Sequence, residues 1–195
     1  MSDIVSALAG AASTGYCTVT DAGRVGMVTI RGDHADAGFA RSVRSALGLG
    51  MPAQRDITGD IGGAVARLAW MSPDELLLFC DADAAPEEAA ALSEVLAGGH
   101  ALAVDVTDAR AVFHVEGAAV REVLAKLTPA DVSPGVFGPG EMRRTRLGQE
   151  PAAFHQKSET CVEVIAFRSV ALYVFDLLSN AAKPGSEVGL FAAPR

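Results

Sequence analysis

The chain has 195 residues, half of them hydrophobic, and 24 acids against 16 Lys and Arg give it a net charge of −8. An acidic chain lacks the basic face that phosphate tracking requires, which excludes nucleic acid as a partner and disfavours anionic membrane surfaces. Cys17, Cys80 and Cys161 are scattered and odd in number, so they suggest neither a disulfide framework nor a zinc site and fit a reducing cytoplasm.

Residues 1–22 read as an N-terminal arm. Its start has no basic region and carries an early Asp3, unlike a secretory signal. Ile4, Val5 and Leu8 share one face of a short helix that is too small to fold alone, which leaves a frayed terminus or a docking arm. Arg24–Arg31 reads as a strand ending at Gly32-Asp33. A helix follows with Phe39, Val43, Ala46 and Leu47 on one face, stopped by Gly48, Gly50 and Pro52. Residues 48–62 read as an exposed loop. Ala64–Trp70 and Leu76–Cys80 form a hairpin about the turn Ser72-Pro73-Asp74-Glu75, where Pro sets φ and Ser and Asp bond nearby backbone. Pro86-Glu87-Glu88 opens a second helix, with Leu92, Val95 and Leu96 as its buried stripe and Gly98-Gly99 as its end.

Ala101–Thr107 reads as a strand tying two halves together, after which the pattern repeats. Ala111–Glu116 is a strand ending at Gly117, and a helix follows with Val120, Val123, Leu124 and Leu127 on one face. Residues 128–140 hold three prolines and three glycines and read as a loop. Strands at about 141–147, 150–156 and 160–167 precede a helix at 169–182 carrying Leu172, Phe175 and Leu178. Gly32 corresponds to Gly117, 85 residues on, and Ser72 to Ser158, 86 residues on. The shared offset predicts a duplicated β-α-β-β-α unit, with repeats at about 24–100 and 110–182 inside a domain 23–185 and a C-terminal tail at 186–195. Such units make mainly antiparallel sheets with helices packed on one face, the α+β class.

The residues that could carry chemistry are weakly arranged. His34, His100, His114 and His155 never sit at ligand spacing, and the two in strands read as hydrogen-bonded or solvent-facing. Gly48-Leu49-Gly50-Met51-Pro52-Ala53 spells a loose dinucleotide loop, but it follows a helix where a phosphate cradle must follow a strand. No P-loop, no GxSxG and no cysteine with an activating base occurs. Asp105-Val106-Thr107-Asp108-Ala109-Arg110 is the one polar cluster between strands. Its functional reading makes Asp105 or Asp108 a contact for a cationic or amide-bearing ligand; its plainer reading is a turn with an Asp108–Arg110 ion pair. Arg143-Arg144-Thr145-Arg146, taken as a strand, places Arg144 and Arg146 on one face, suited to an acidic partner or to a solvated edge guarded by charge. No catalytic, cofactor-binding or metal-ligating residue is assigned.

Four segments carry a resemblance. Ala69-Trp70-Met71-Ser72-Pro73-Asp74-Glu75-Leu76-Leu77-Leu78, Val104-Asp105-Val106-Thr107-Asp108-Ala109-Arg110-Ala111-Val112 and Gly117-Ala118-Ala119-Val120-Arg121-Glu122-Val123-Leu124-Ala125-Lys126 resemble, in order, stretches of the gamma subunits of heterotetrameric sarcosine oxidase. So does a D-x-x-P-x-x-F-x-P-G loop at Asp131, Pro134, Phe137, Pro139 and Gly140. Leu76 stands where that family often has tryptophan, and Val120 where it has alanine. The resemblance spans about 20–182 and implies a fold like the folate-binding domain of aminomethyltransferases. It implies a non-catalytic chain without a cofactor of its own, in a complex with alpha, beta and delta subunits. That complex would oxidise sarcosine to glycine, yield hydrogen peroxide with formaldehyde or 5,10-methylenetetrahydrofolate, and hold FAD, FMN, NAD and tetrahydrofolate on the partner subunits. The alternatives are a stand-alone tetrahydrofolate-binding protein and a subunit of a related N-methyl amino acid dehydrogenase.

Overall fold

The computed structural model describes residues 5–62 and 66–191. The chain divides into two compact units: a central one, Val25–Thr107, and a terminal one assembled from Met1–Arg24 and Asp108–Arg195.

The terminal unit opens with β1 (Ala12–Thr14) and β2 (Thr18–Asp21). The segment read as an arm is therefore part of a sheet. No helix forms through Val5 and Leu8, and Ile4 lies outside the described residues. Val19 explains the difference, since its side chain is fully buried in the terminal core and anchors β2.

The central unit runs β3 (Gly26–Arg31), α1 (Ala37–Leu47), β4 (Ile57–Gly59), β5 (Arg67–Ser72), β6 (Glu75–Cys80), α2 (Ala85–Val95) and β7 (Leu102–Asp105). Its sheet has the order β4-β5-β6-β3-β7, with every pairing antiparallel. Asp36 caps α1 by accepting the Gly38 N–H at 2.6 Å, and Gly48, at φ 66°, closes it by donating to the Arg44 carbonyl. The glycines of the loose dinucleotide spelling thus begin at a helix stop. Phe39, Val43, Ala89 and Leu92 of the helices pack on Val28, Ile30, Leu68, Leu76 and Leu78 of one sheet face.

The structure departs from the sequence expectation at four places in this unit. Residues 57–59 are an edge strand inside the expected loop, drawn in by the buried Ile57. Ala46 is exposed, while Leu47 still packs on the core. Val95 is 47% exposed, because the buried stripe of α2 runs through Ala85, Ala89, Leu92 and Leu96 and Val95 sits about 100° round from it. Ala101–Thr107 is no linker: β7 pairs with β3 inside the central unit. The hairpin's first strand is described from Arg67 onward, and Ala64 and Val65 lie outside the described residues.

The terminal unit resumes with β8 (Arg110–Glu116), α3 (Val120–Ala125), β9 (Met142–Leu147), β10 (Glu150–Ser158), β11 (Cys161–Phe167) and α4 (Ala171–Ala181). Its sheet order is β1-β2-β8-β11-β10-β9, again antiparallel. Its core is richer in aromatic rings, with Phe113, Phe137, Phe154 and Phe175 packed among Val115, Val164 and Leu178. Phe137 meets Phe154 edge-on, centroids 5.4 Å apart. Leu172, expected inside, is 62% exposed, since the stripe of α4 runs through Ala171, Val174, Phe175, Leu178 and Ala181.

Aligning the sheets shows the duplication element by element. β3, β5, β6 and β4 correspond to β8, β10, β11 and β9. The two hairpins share a register shift at the same place, between Trp70 and Ser72 and between Gln156 and Ser158. β7 corresponds to β2: Ile30 pairs with Ala103 as Val115 pairs with Val19. The last strand of the second repeat is therefore supplied by the N-terminus of the chain. Each repeat with its last strand included is a β-α-β-β-β-α-β unit, with one more strand between the helices than the expected β-α-β-β-α pattern: β4 in the central unit and β9 in the terminal one.

Candidate functional site

The segment Gly117–Lys126 builds the densest set of polar contacts. Gly117 ends β8 at φ 150°, and a Cβ there would lie 2.6 Å from Cys17 Sγ. The short α3 that follows and its C-cap Lys126 present three charged side chains, and each holds a different piece of backbone. Arg121 donates to the carbonyls of Val132 (3.1 Å) and Phe137 and to Gln156 Oε1 (2.9 Å), which fixes the loop read from sequence as D-x-x-P-x-x-F-x-P-G. Phe137 of that loop is fully buried. Glu122 accepts the N–H groups of Val188 (2.7 Å), Gly189 (2.8 Å) and Leu190 (3.2 Å). Lys126 donates to Tyr16 Oη (2.9 Å) and to the carbonyls of Ala181 (3.0 Å) and Ser186 (2.6 Å).

Burial would by itself raise the Glu122 pKa. Three backbone donors and the nearby Lys126 outweigh that and hold the carboxyl below the usual range. Burial would lower Lys126, but its bond to Tyr16 and the charge of Glu122 raise it instead. These groups are all engaged with the chain's own backbone, so α3 acts as a clasp.

A second polar set crosses the terminal sheet. His155 on β10, Glu163 on β11 and His114 on β8 lie in one register row. Glu163 takes His155 Nε2 on one carboxylate oxygen and His114 Nε2 on the other, both at 3.1 Å, with Lys157 Nζ at 3.7 Å. His155 and Glu163 are almost wholly buried. Facing carboxylate oxygens, both Nε2 atoms act as donors and turn no lone pair toward a metal. Among the described residues no group of three His, Cys, Asp or Glu is placed to hold a metal ion. The two strand histidines are hydrogen-bonded, one of the two readings the sequence offered. The row itself was not read, because Glu163 lies in a run of apolar residues that gives no alternation signal.

The cluster at Asp105–Arg110 turns out to be a folded junction. Asp105 accepts the Thr107 N–H at 2.9 Å, and Thr107 Oγ1 accepts the Met27 N–H at 3.0 Å. Asp108 pairs with Arg24 at 3.3 Å, and the Arg110 guanidinium stacks 4.2 Å from the Phe167 ring. Arg144 and Arg146 are exposed on β9, an edge strand as expected, while Arg143 turns inward to the Val136 carbonyl and the face of Phe137. The thiols of Cys80 and Cys161 are pushed up to about 11, first by burial and then by neighbouring Glu88 and Glu116 respectively. This leaves them protonated and weakly nucleophilic at neutral pH.

The central unit contains a cavity of about 760 Å³ that sequence reading missed. Its lining includes Asp33, Asp36 and Asp74 beside Phe39, Leu102 and Arg31, and none of it comes from 105–110. The three acids come from a loop, a helix cap and a hairpin turn, where each has a local reason to be acidic, so nothing in the linear pattern groups them. Arg31 is already paired with Asp74 (2.8 Å) and Glu75 (3.0 Å), which leaves the cavity acidic on balance.

With this geometry in place, comparison with known proteins is informative. The sarcosine oxidase gamma subunit family matches residues 31–184. Sarcosine oxidase gamma subunits from Arthrobacter sp. and Corynebacterium sp. strain U-96 are 29% and 30% identical to the chain, over 80% and 81% of it and 75% and 74% of their own lengths. In the solved structures, heterotetrameric sarcosine oxidase from Corynebacterium sp. U-96, in complex with pyrrole 2-carboxylate, contains a chain of the same fold. Its TM-score is 0.78 at 24% identity, covering 94% of this chain and 90% of that one. The glycine cleavage system aminomethyltransferase T from Bartonella henselae shares the fold at a TM-score of 0.58 and 13% identity, over 82% of this chain and 44% of its own. The expected fold class is therefore found, and the chain belongs to the sarcosine oxidase gamma subunit family.

Proposed function

We propose that this chain serves as the non-catalytic gamma subunit of a heterotetrameric sarcosine oxidase, in which it supports assembly and stability. The observation that carries this reading is α3 and its C-cap: Arg121, Glu122 and Lys126 are all engaged in fixing a loop, Tyr16 and the segment 181–190. Their work is shaping a surface. Alpha, beta and delta subunits are the partners, and the complex oxidises sarcosine to glycine in the cytoplasm, with hydrogen peroxide and formaldehyde or 5,10-methylenetetrahydrofolate as products. FAD, FMN, NAD and tetrahydrofolate belong to the partner subunits. Each of these carries phosphate or carboxylate groups, and the excess acid of the central cavity does not fit them. No step of the reaction is assigned to this chain.

A subunit that binds only the folded assembly stabilises it by mass action. Co-expressing the four chains with and without this one, then measuring assembly size, flavin content and sarcosine-dependent peroxide, tests the proposal. Loss of assembled complex without this chain is the expected result. Full assembly and flavin content in its absence would overturn the stabilising role. Activity on another N-methyl amino acid in place of sarcosine would select the related dehydrogenase. Tight tetrahydrofolate binding by the isolated chain would select the stand-alone reading.

A further inference from the structure

The duplication provides an internal control for one surface. By register, Thr18 and Thr20 of β2 stand where Leu102 and Val104 of β7 stand: Thr18 pairs with Glu116 as Leu102 pairs with Arg31, and Thr20 with His114 as Val104 with Thr29. In the terminal unit the outer edge of β2 is covered by β1, with Thr14 opposite Thr18 and Ala12 opposite Thr20. In the central unit β7 ends the sheet among the described residues. The edge beside β1 carries hydroxyls, whereas β7, whose Ala103 carbonyl accepts from Ser93 Oγ of α2 at 3.2 Å, carries Leu102 at 52% and Val104 at 41% exposure. This inverts the usual arrangement, since open edges are normally blunted by charge, proline or brevity and apolar ones invite another strand.

Charge indicates the kind of strand. Val25–Thr107 contains five arginines and no lysine against twelve Asp and Glu, so this unit holds −7 of the chain's −8. Leu102 also lines the acidic cavity with Asp33, Asp36 and Asp74. Asp33 and Asp36 each turn one carboxylate oxygen to local backbone, at Ala35 and Gly38. A strand beside β7 would meet apolar side chains on one face and a field of negative charge around it.

We propose that the outer edge of β7 receives an extended segment of a partner subunit, with alternating apolar side chains and Lys or Arg among them. The segment takes the place that β1 holds in the terminal unit and adds a sixth strand to the central sheet, by the strand-addition mode of recognition. Leu102 and Val104 give the contact its apolar grip, and the surrounding acids select the sign of the partner. This rests on the reading of the chain as a subunit of a larger complex.

Hydrogen–deuterium exchange on the isolated chain and on the complete co-expressed complex tests the proposal. The expected result is at least tenfold slower exchange of amides at 101–106 on assembly. Leu102→Glu with Val104→Glu, at two exposed sites that leave the fold intact, is expected to lower incorporation into the complex at least tenfold, whereas Leu102→Met retains it. The melting temperature of each isolated variant separates lost binding from lost folding. A complete complex in which these amides exchange as fast as in the isolated chain overturns the proposal and leaves the subunit reading standing. A chain that never co-purifies with larger subunits overturns both. Concentration-dependent protection of 101–106 in the isolated chain, with a dimer on sizing, assigns the edge to a second copy and overturns the partner segment.

Discussion

In the terminal unit β2 lies under β1, the core is built round four phenylalanines, and α3 ties down a loop and the tail. In the central unit no described strand lies beyond the corresponding one, the core under the helices holds Phe39 with Phe79 buried elsewhere in the unit, and three acids line a cavity. The same order of elements has been closed in one copy and left open in the other. Duplication supplies two equivalent scaffolds, and side-chain choice at a few equivalent positions decides which becomes the rigid partner. The single tryptophan, Trp70, lies in the central unit and both tyrosines, Tyr16 and Tyr173, in the terminal one, so each unit can be followed by its own optical signal.

The sharpest contrast is between the cores. Phe154 and Leu68 are equivalent and fully buried. Phe154→Ala should cost about 3–5 kcal/mol and Leu68→Ala about 2–5 kcal/mol. Denaturant titration should show the tyrosine signal leading in the first variant and the tryptophan signal leading in the second. Coincident loss of both signals in both variants would mean that the units unfold as one cooperative body, which would break the comparison.

The clasp comes next. Glu122→Ala leaves three backbone donors without their acceptor and should cost about 1–3 kcal/mol, with faster amide exchange confined to 188–190. The pH sign follows from the lowered carboxyl. An unfolded glutamate titrates near 4.5 and the folded one below that, so the unfolded chain takes up the proton first. The stabilisation is complete above about pH 4.5 and is lost as pH falls through the lower folded value. Glu122→Gln should flatten this acid-side slope in thermal melts, and an unchanged slope would remove Glu122 from the argument.

The paired glycines sharpen the comparison further. Gly32 and Gly117 both end the first strand of their repeat, and neither has room for a Cβ. At Gly32 the obstacle is the Phe39 ring, 2.3 Å away; at Gly117 it is Cys17 and the Tyr16 carbonyl, with a positive φ as well. Gly117→Ala should be the more destabilising, by about 1–3 kcal/mol from backbone strain, because a ring can swing aside and the backbone of Tyr16 and Cys17 cannot. Equal melting temperatures would contradict this. The smallest effect concerns the thiols. With Cys80 and Cys161 near 11, alkylation at pH 8 should run about a hundredfold slower than for an ordinary thiol. Fast labelling of both in the folded chain would contradict the burial described for them.

The order of elements in each repeat, the strand at Ile57 apart, was legible because helical stripes, Gly32 with Gly117 and the two serine-bearing turns are local signals. What escaped reading was non-local. Ile57 makes a strand only because β5 is there to pair with it, and β2 reads as an arm because its partner β8 lies far along the sequence. Val95 and Leu172 were misplaced because each sits about 100° round its helix from a neighbour, Leu96 and Ala171, that takes the core-facing position. At the clasp, Arg121, Glu122 and Lys126 were visible as a motif, but their targets were not, since backbone carbonyls and amides have no letter in a sequence.

The borrowed strand has a consequence for biosynthesis. A ribosome releases all seven strands and helices of the central unit in one continuous stretch, so that unit can close as soon as it emerges. Val19 must wait, with only β1 beside it, until Val115 and then the hairpin beyond it have been made. A segment made before the central unit is among the last to find its place, and for that interval the nascent chain carries an incompletely paired strand ahead of that unit.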